Sequence, residues 1–120
     1  SISSLPGFSE GRFWVQDEAA QAAVAWLGVE PGERVLDACA APGGKTMYLA
    51  TQVGPEGHVL ATDSDARRLK QVDGAIARVG TPQVTTAVRD WVAEPFGARS
   101  DDEPFDAVLL DLHMPGMSGV

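Results

Sequence analysis

Four aspartates, each at or just beyond the end of a short apolar run, are where this 120-residue chain could do chemistry. Asp37 lies within Arg34-Val35-Leu36-Asp37-Ala38-Cys39, Asp63 ends His58-Val59-Leu60-Ala61-Thr62-Asp63, and Asp111 ends Phe105-Asp106-Ala107-Val108-Leu109-Leu110-Asp111. Asp90 stands two residues beyond Val84-Thr85-Thr86-Ala87-Val88. Apolar runs bounded by glycine, proline and polar breakers are the form of buried parallel strands. The carboxyl ends of such strands face the ligand crevice of an open α/β sheet, so the four acids are expected on one edge. After the first run comes Ala40-Ala41-Pro42-Gly43-Gly44-Lys45. Its glycines let the backbone approach a ligand, and the first amides of the following helix offer donors at a positive dipole end. Such a turn can hold a carboxylate as well as a phosphate. Asp63, about twenty-five residues past the first run, stands where nucleoside-binding α/β domains place an acid for ribose hydroxyls, and Asp90 could accept from an exocyclic amine of a base. Taken singly each feature reads as a turn or a helix cap; taken together they point to a nucleoside-containing ligand.

The elements that must position these residues follow from periodicity. Asp17 can cap a helix whose Ala20, Ala23, Val24 and Leu27 recur on one face, closed by Gly28. A second helix runs from about Lys45 to Val53 and is ended by Gly54-Pro55-Glu56-Gly57. A third, capped by Ser64 or Asp65 and ended by Gly80, has Leu69, Val72, Ile76 and Val79 as its inner face. The order βαβαβ with a fourth strand predicts an α/β, Rossmann-like half-domain: a parallel sheet in the order 3-2-1-4 with helices on both faces. Residues 1–16, with Phe8, Phe13 and Trp14, read as an ordered lead-in, and residues 17–120 as a single domain. Trp26 reads as a core or edge anchor, Cys39 as a small packing residue, and the acids at 101–103 as a solvated loop. Lys45 reads equally as a solvated first-turn residue, His113 as an exposed loop residue, and Met114 and Met117 as packing residues.

Bulk composition narrows the function classes. A hydrophobic fraction of 44% is ample for one core. The net charge of −8 opposes autonomous binding to a phosphate backbone. One cysteine and two histidines supply too few soft ligands for a zinc cage, so no metal is expected. No apolar run approaches the roughly 20 residues that cross a bilayer, and Ser1-Ile2-Ser3-Ser4 lacks the basic start of an export signal, so a cytoplasmic location without membrane contact is expected.

The string Asp37-Ala38-Cys39-Ala40-Ala41-Pro42-Gly43-Gly44-Lys45-Thr46 is similar to the cofactor-binding motif of the Fmu/Sun family of RNA 5-methylcytosine methyltransferases. So are Leu5-Pro6-Gly7-Phe8-Ser9-Glu10-Gly11 and Val15-Gln16-Asp17, and with Asp63, Arg67-Arg68-Leu69 and Asp90 the resemblance covers about residues 5–111. It implies that residues 41–45 (Ala41, Pro42, Gly43, Gly44, Lys45) wrap the methionine part of S-adenosylmethionine, that Asp63 takes the ribose, that Asp90 lies near the adenine, and that Asp111 stands beside the transferable methyl group. RNA would be a partner only in a full-length parent enzyme.

Departures from the family pattern begin at Asp111. There the family has Asp-Ala-Pro-Cys, with a second cysteine further on that attacks the pyrimidine ring; this chain has Asp111-Leu112-His113-Met114-Pro115-Gly116-Met117 and stops at Val120. A thiolate is the nucleophile that chemistry requires, and Cys39 sits inside the cofactor turn, so no catalytic residue is assigned and turnover by this chain alone is not expected. Residues 105–119 also resemble the phosphoacceptor strand and loop of a response-regulator receiver, in which Asp111 would accept a phosphoryl group and Asp63 with Asp65 would lie near the magnesium-binding acids. That second resemblance raises the alternatives of a receiver-like module, or of a chimera without a ligand. The early stop further predicts a fourth strand at the sheet edge with apolar surface uncovered, and hence a homodimer or strand-exchanged assembly.

Overall fold

A computed structural model describes residues 18–110 of the chain. The lead-in of residues 1–16 lies outside the described residues, as do Asp111, His113, Met114 and Met117. In chain order the elements are α1 (Glu18–Leu27), β1 (Arg34–Asp37), α2 (Gly44–Val53), β2 (His58–Asp63), α3 (Ala66–Val79), β3 (Val84–Val88) and β4 (Ala107–Leu109). The four strands form one parallel sheet in the expected order, β3-β2-β1-β4.

Local chemistry explains where the helices begin and end. Asp65 caps α3, its Oδ1 accepting from the amides of Arg67 (2.8 Å) and Arg68 (3.4 Å), and Gly80 in the left-handed region closes the helix, its N–H donating to Ile76 O. On α2 the buried face is Thr46, Met47, Leu49, Ala50 and Val53. Gly57, in the turn that leads from α2 to β2, has no room for a side chain: a Cβ there would press on Val53 Cβ and stand 2.6 Å from Val53 O and 2.8 Å from Glu33 O. Val35, Val59 and Ala61 of the two central strands are fully buried against α2 and α3, in one cluster with Val24, Leu49, Val53, Leu69 and Val72. Each such valine or leucine contributes about 1.5–3 kcal/mol of transfer free energy, which fixes the strand ends that bear the acids.

Both crossovers, through α2 and through α3, step the same way along the sheet, so right-handedness puts both helices on one face. α1 packs beside α2 on that face. The return from β3 to β4, residues 89–106, is a run of turns, so among the described residues the helical cover expected on both faces is found on one. His58, Leu60, Thr62, Thr85 and Ala87 alternate onto the second face, beneath that returning segment. Among the described strands β4 is an edge, and Val108 (49%) and Leu110 (61%) are exposed there. Trp26 is 92% exposed and anchors nothing among the described residues. Two residues past the buried Val24 it is turned by roughly 200° to the opposite side of α1.

Candidate functional site

β1 leaves the ladder after Asp37, two residues sooner than expected, because its chain bends over the end of β2. The amide of Ala40 donates to Thr62 O at 2.8 Å, and Thr62 Oγ1 donates to Ala38 O at 3.1 Å. The loop that follows β1 is thereby laid against the carboxyl end of β2, where Asp63 is. Ala41 is half-buried, the cis-linked Pro42 is exposed, and Gly43 is buried with φ 115°, a backbone setting that a side chain would strain. Gly44 opens α2 and Lys45 is half-buried in its first turn. No side chain caps α2 and no acid stands in its first turn.

Asp37 is the acid beneath this loop. It is 2% exposed, and Thr46 Oγ1 donates to its Oδ2 at 2.8 Å. Burial pushes its carboxyl up to about 6, against the opposing pull of Thr46, Lys45 and the Cys39 amide. Cys39, partly buried, has a thiol pushed up by burial and by Asp63 and Asp37, so it is held as the unreactive thiol.

Asp63 is buried, and its Oδ1 accepts from the amide of Asp65 (2.9 Å) and from Arg68 Nη2 (2.9 Å). The sheet register sets it beside Val88, and the amide of Arg89 donates to Asp63 O at 3.0 Å, so the chain after β3 emerges at the same edge. Asp90 is exposed there, its Oδ1 accepting from the amides of Val92 (2.9 Å) and Ala93 (3.2 Å). The structure thus brings residues 41–45, Asp63 and Asp90 to one edge, while Asp111 lies outside the described residues.

Of the acids at 101–103, expected in a solvated loop, Asp102 is tied down. Buried Arg89 donates to it through Nη1 (2.8 Å) and Nη2 (3.0 Å), and the amides of Gly97 and Arg99 donate to the same carboxylate. These bonds hold the Asp102 carboxyl well below the usual carboxylate range. Arg89 also reaches Glu94 O and Pro95 O, and its guanidinium lies 4.1 Å from the centre of the Trp91 ring. Trp91 Nε1 donates to Thr62 Oγ1 at 2.8 Å. No spacing in the sequence marks this knot; its signal is two arginines, Arg89 before and Arg99 within the acidic stretch 94–103.

On the second sheet face a cavity of about 170 Å³ is lined by Arg34, His58, Thr85, Arg99, Glu103 and Phe105 among others. None of residues 41–45, Asp63 or Asp90 lines it. Arg34 Nη1 can only donate, so His58 accepts at Nδ1 (2.9 Å) and carries its proton on Nε2, which reaches Thr85 Oγ1 (2.8 Å). Burial and Arg34 hold the His58 imidazole below its ordinary value. No group of three or more histidine, cysteine, aspartate or glutamate residues suited to a metal ion occurs among the described residues, and no described helix is long and apolar enough to cross a membrane.

β1 separates β2 from β4, so Asp63 and Asp65 are not on the strand next to the one leading to Asp111, as adjacent receiver acids would require. Asp65 is moreover the cap of α3. The receiver reading therefore gains no support from the sheet.

Comparison with known proteins agrees with the methyltransferase resemblance. A family model described as 16S rRNA methyltransferase RsmB/F matches residues 24–118, across the segment on which the receiver resemblance rested. The chain is 44% identical over 110 residues to ribosomal RNA small subunit methyltransferase B of Xanthomonas campestris pv. campestris, covering 92% of this chain and 25% of that protein. A methyltransferase homologue from Pyrococcus horikoshii superposes with a TM-score of 0.74 at 33% identity, over 92% of this chain and 35% of that one. NSun6 from Pyrococcus horikoshii, solved with SFG, does so with a TM-score of 0.72 at 29% identity, over 79% and 25%. The chain spans about a quarter of the length of the curated relatives it matches. The match over residues 24–118 shows that the chain belongs to the RsmB/F family of 16S rRNA methyltransferases.

Proposed function

We propose that the crevice at the carboxyl edge of the sheet binds S-adenosylmethionine, and that the chain is the cofactor-binding part of an rRNA cytosine-5 methyltransferase. The observation that carries this reading is the loop after β1, bonded through Ala40 to Thr62 beside the Asp63 that ends β2 and leading into a start of α2 that no side chain caps. The donor set fits the group. A helix start that no side chain caps suits the carboxylate of the methionine end, and a buried acid on the neighbouring strand suits a ribose diol. Residues 41–45 hold the amino-acid end, Asp63 accepts from the ribose hydroxyls, and Asp90 stands at the adenine end. Asp37, through Thr46, fixes the first turn of α2 beneath the bound carboxylate. Asp111 keeps its place as the acid assigned to the methyl end.

When bound, the cofactor supplies an electrophilic methyl group. The chain's own residues orient it and supply no attacking thiolate, since the single cysteine is Cys39, whose thiol is pushed up. These 120 residues are accordingly assigned binding without turnover. With a net charge of −8 they are assigned no RNA affinity of their own. Calorimetric titration with S-adenosylhomocysteine tests the reading. One molecule should bind per chain, and Asp63→Asn should weaken it by about tenfold or more, as loss of a charge-assisted acceptor does. Absence of heat at millimolar ligand would refute the proposal.

A further inference from the structure

The hydroxyl of Thr62, on the second sheet face with Arg89 and Trp91, is hydrogen-bonded to both arms of the crevice. It is fully buried, donates to Ala38 O in the arm that follows β1, and accepts from Trp91 Nε1 in the arm that follows β3. The backbone of the same residue takes the Ala40 amide. Trp91 is held in turn from outside: its ring lies against the Arg89 guanidinium, which Asp102 grips with both oxygens. A single chain of polar contacts thus runs Asp102, Arg89, Trp91, Thr62, Ala38, from the returning loop to the cofactor loop. The Asp90 turn has bonds that do not involve Thr62 or the Trp91 N–H: the amides of Val92 and Ala93 donate to Asp90, and Arg89 donates to Glu94 O and Pro95 O.

We propose that Thr62 and Trp91 are a positioning pair that sets the spacing between the two arms, so that one ligand can meet residues 41–45 and Asp63 with Asp90 at once. This rests on the S-adenosylmethionine reading above. Burial explains why the tie matters: a hydroxyl with one donor and both partners already in place has no freedom to reorient, so the two arms cannot slide independently. A ligand that spans both arms feels their spacing. One that touches a single arm does not.

The test compares S-adenosylhomocysteine, which spans the crevice, with adenosine, which occupies one end. Trp91→Phe keeps a ring over Arg89 and removes the N–H; Thr62→Val keeps the shape and removes the hydroxyl; Thr62→Ser restores it. Circular dichroism selects a temperature at which each variant is folded, and calorimetry gives the affinities in the 120-residue chain. Both Trp91→Phe and Thr62→Val should bind S-adenosylhomocysteine about fivefold more weakly, the size of one neutral hydrogen bond. Their adenosine affinity should change by less than about twofold on the same scale, and Thr62→Ser should bind both ligands like the parent. Parallel loss of both ligands, or no change in either, overturns the positioning role. Should Thr62→Val fail to fold, Trp91→Phe alone decides. Failure of the unaltered chain to bind S-adenosylhomocysteine overturns the functional reading itself, and this inference with it.

Discussion

Asp37→Asn keeps the shape of a fully enclosed side chain and takes away its ability to ionise. Asp37 is 2% exposed, and its carboxyl is pushed up from 3.8 to about 6. A carboxyl so displaced makes the ionised folded chain less stable by about 3 kcal/mol at neutral pH. Asparagine has an NH2 where the carboxylate has its second acceptor oxygen, so a bond such as that from Thr46 to Oδ2 is kept only at the expense of acceptance at the other position, which returns about 1 kcal/mol. The variant is therefore expected to be about 2 kcal/mol more stable than the parent at pH 7. The sign with pH follows from the direction of the displacement. The folded chain holds this proton more tightly than the unfolded one, so the penalty is absent below about pH 4, grows between about 4 and 6, and is constant above. Urea unfolding of both proteins across that range measures the difference directly. A variant no more stable than the parent at pH 7, or a difference that does not grow between pH 4 and 7, would refute the reasoning.

Two further outcomes are expected. His58 is held below its ordinary value by burial and Arg34, with Glu103 opposing, so the unfolded chain binds the proton first and the parent loses stability as pH falls below about 6.5. His58→Gln should flatten that slope, and denaturation of the two side by side at pH 5 and 7 reads it separately from the opposite slope of Asp37. Gly57→Ala should destabilise by about 1–3 kcal/mol or prevent folding, since the new Cβ meets the backbone oxygens of Val53 and Glu33; thermal unfolding unchanged from the parent would contradict the packing described.

Much of the scaffold was legible because its signals are local. β-branched runs between glycine and proline breakers marked the strands, the hydrophobic face of α3 repeated from Leu69 to Val79, and Asp65 was one of two acceptable caps. Right-handed crossovers then left little choice of strand order. The strand-end acids were legible for the same reason, since topology alone carries Asp63 and the chain around Asp90 to one edge. What stayed hidden depends on contacts between distant parts of the chain. The early end of β1 is set by Thr62, 24 residues from Ala38. Asp102 looks like any loop acid until Arg89, 13 residues away, is folded against it. Turns lie over the second face where that knot is, and Trp26 departs from the expectation set by its residue type, although its spacing from Val24 already puts it off the apolar face of α1.

The most direct test of the account is a crystal structure of the chain grown with S-adenosylhomocysteine. The predicted result is one ligand whose carboxylate meets the first amides of α2 beside Gly43 while its ribose hydroxyls meet Asp63. A ligand lodged instead in the second-face cavity beside His58, or a carboxyl-edge crevice filled by the chain's own side chains, would contradict it.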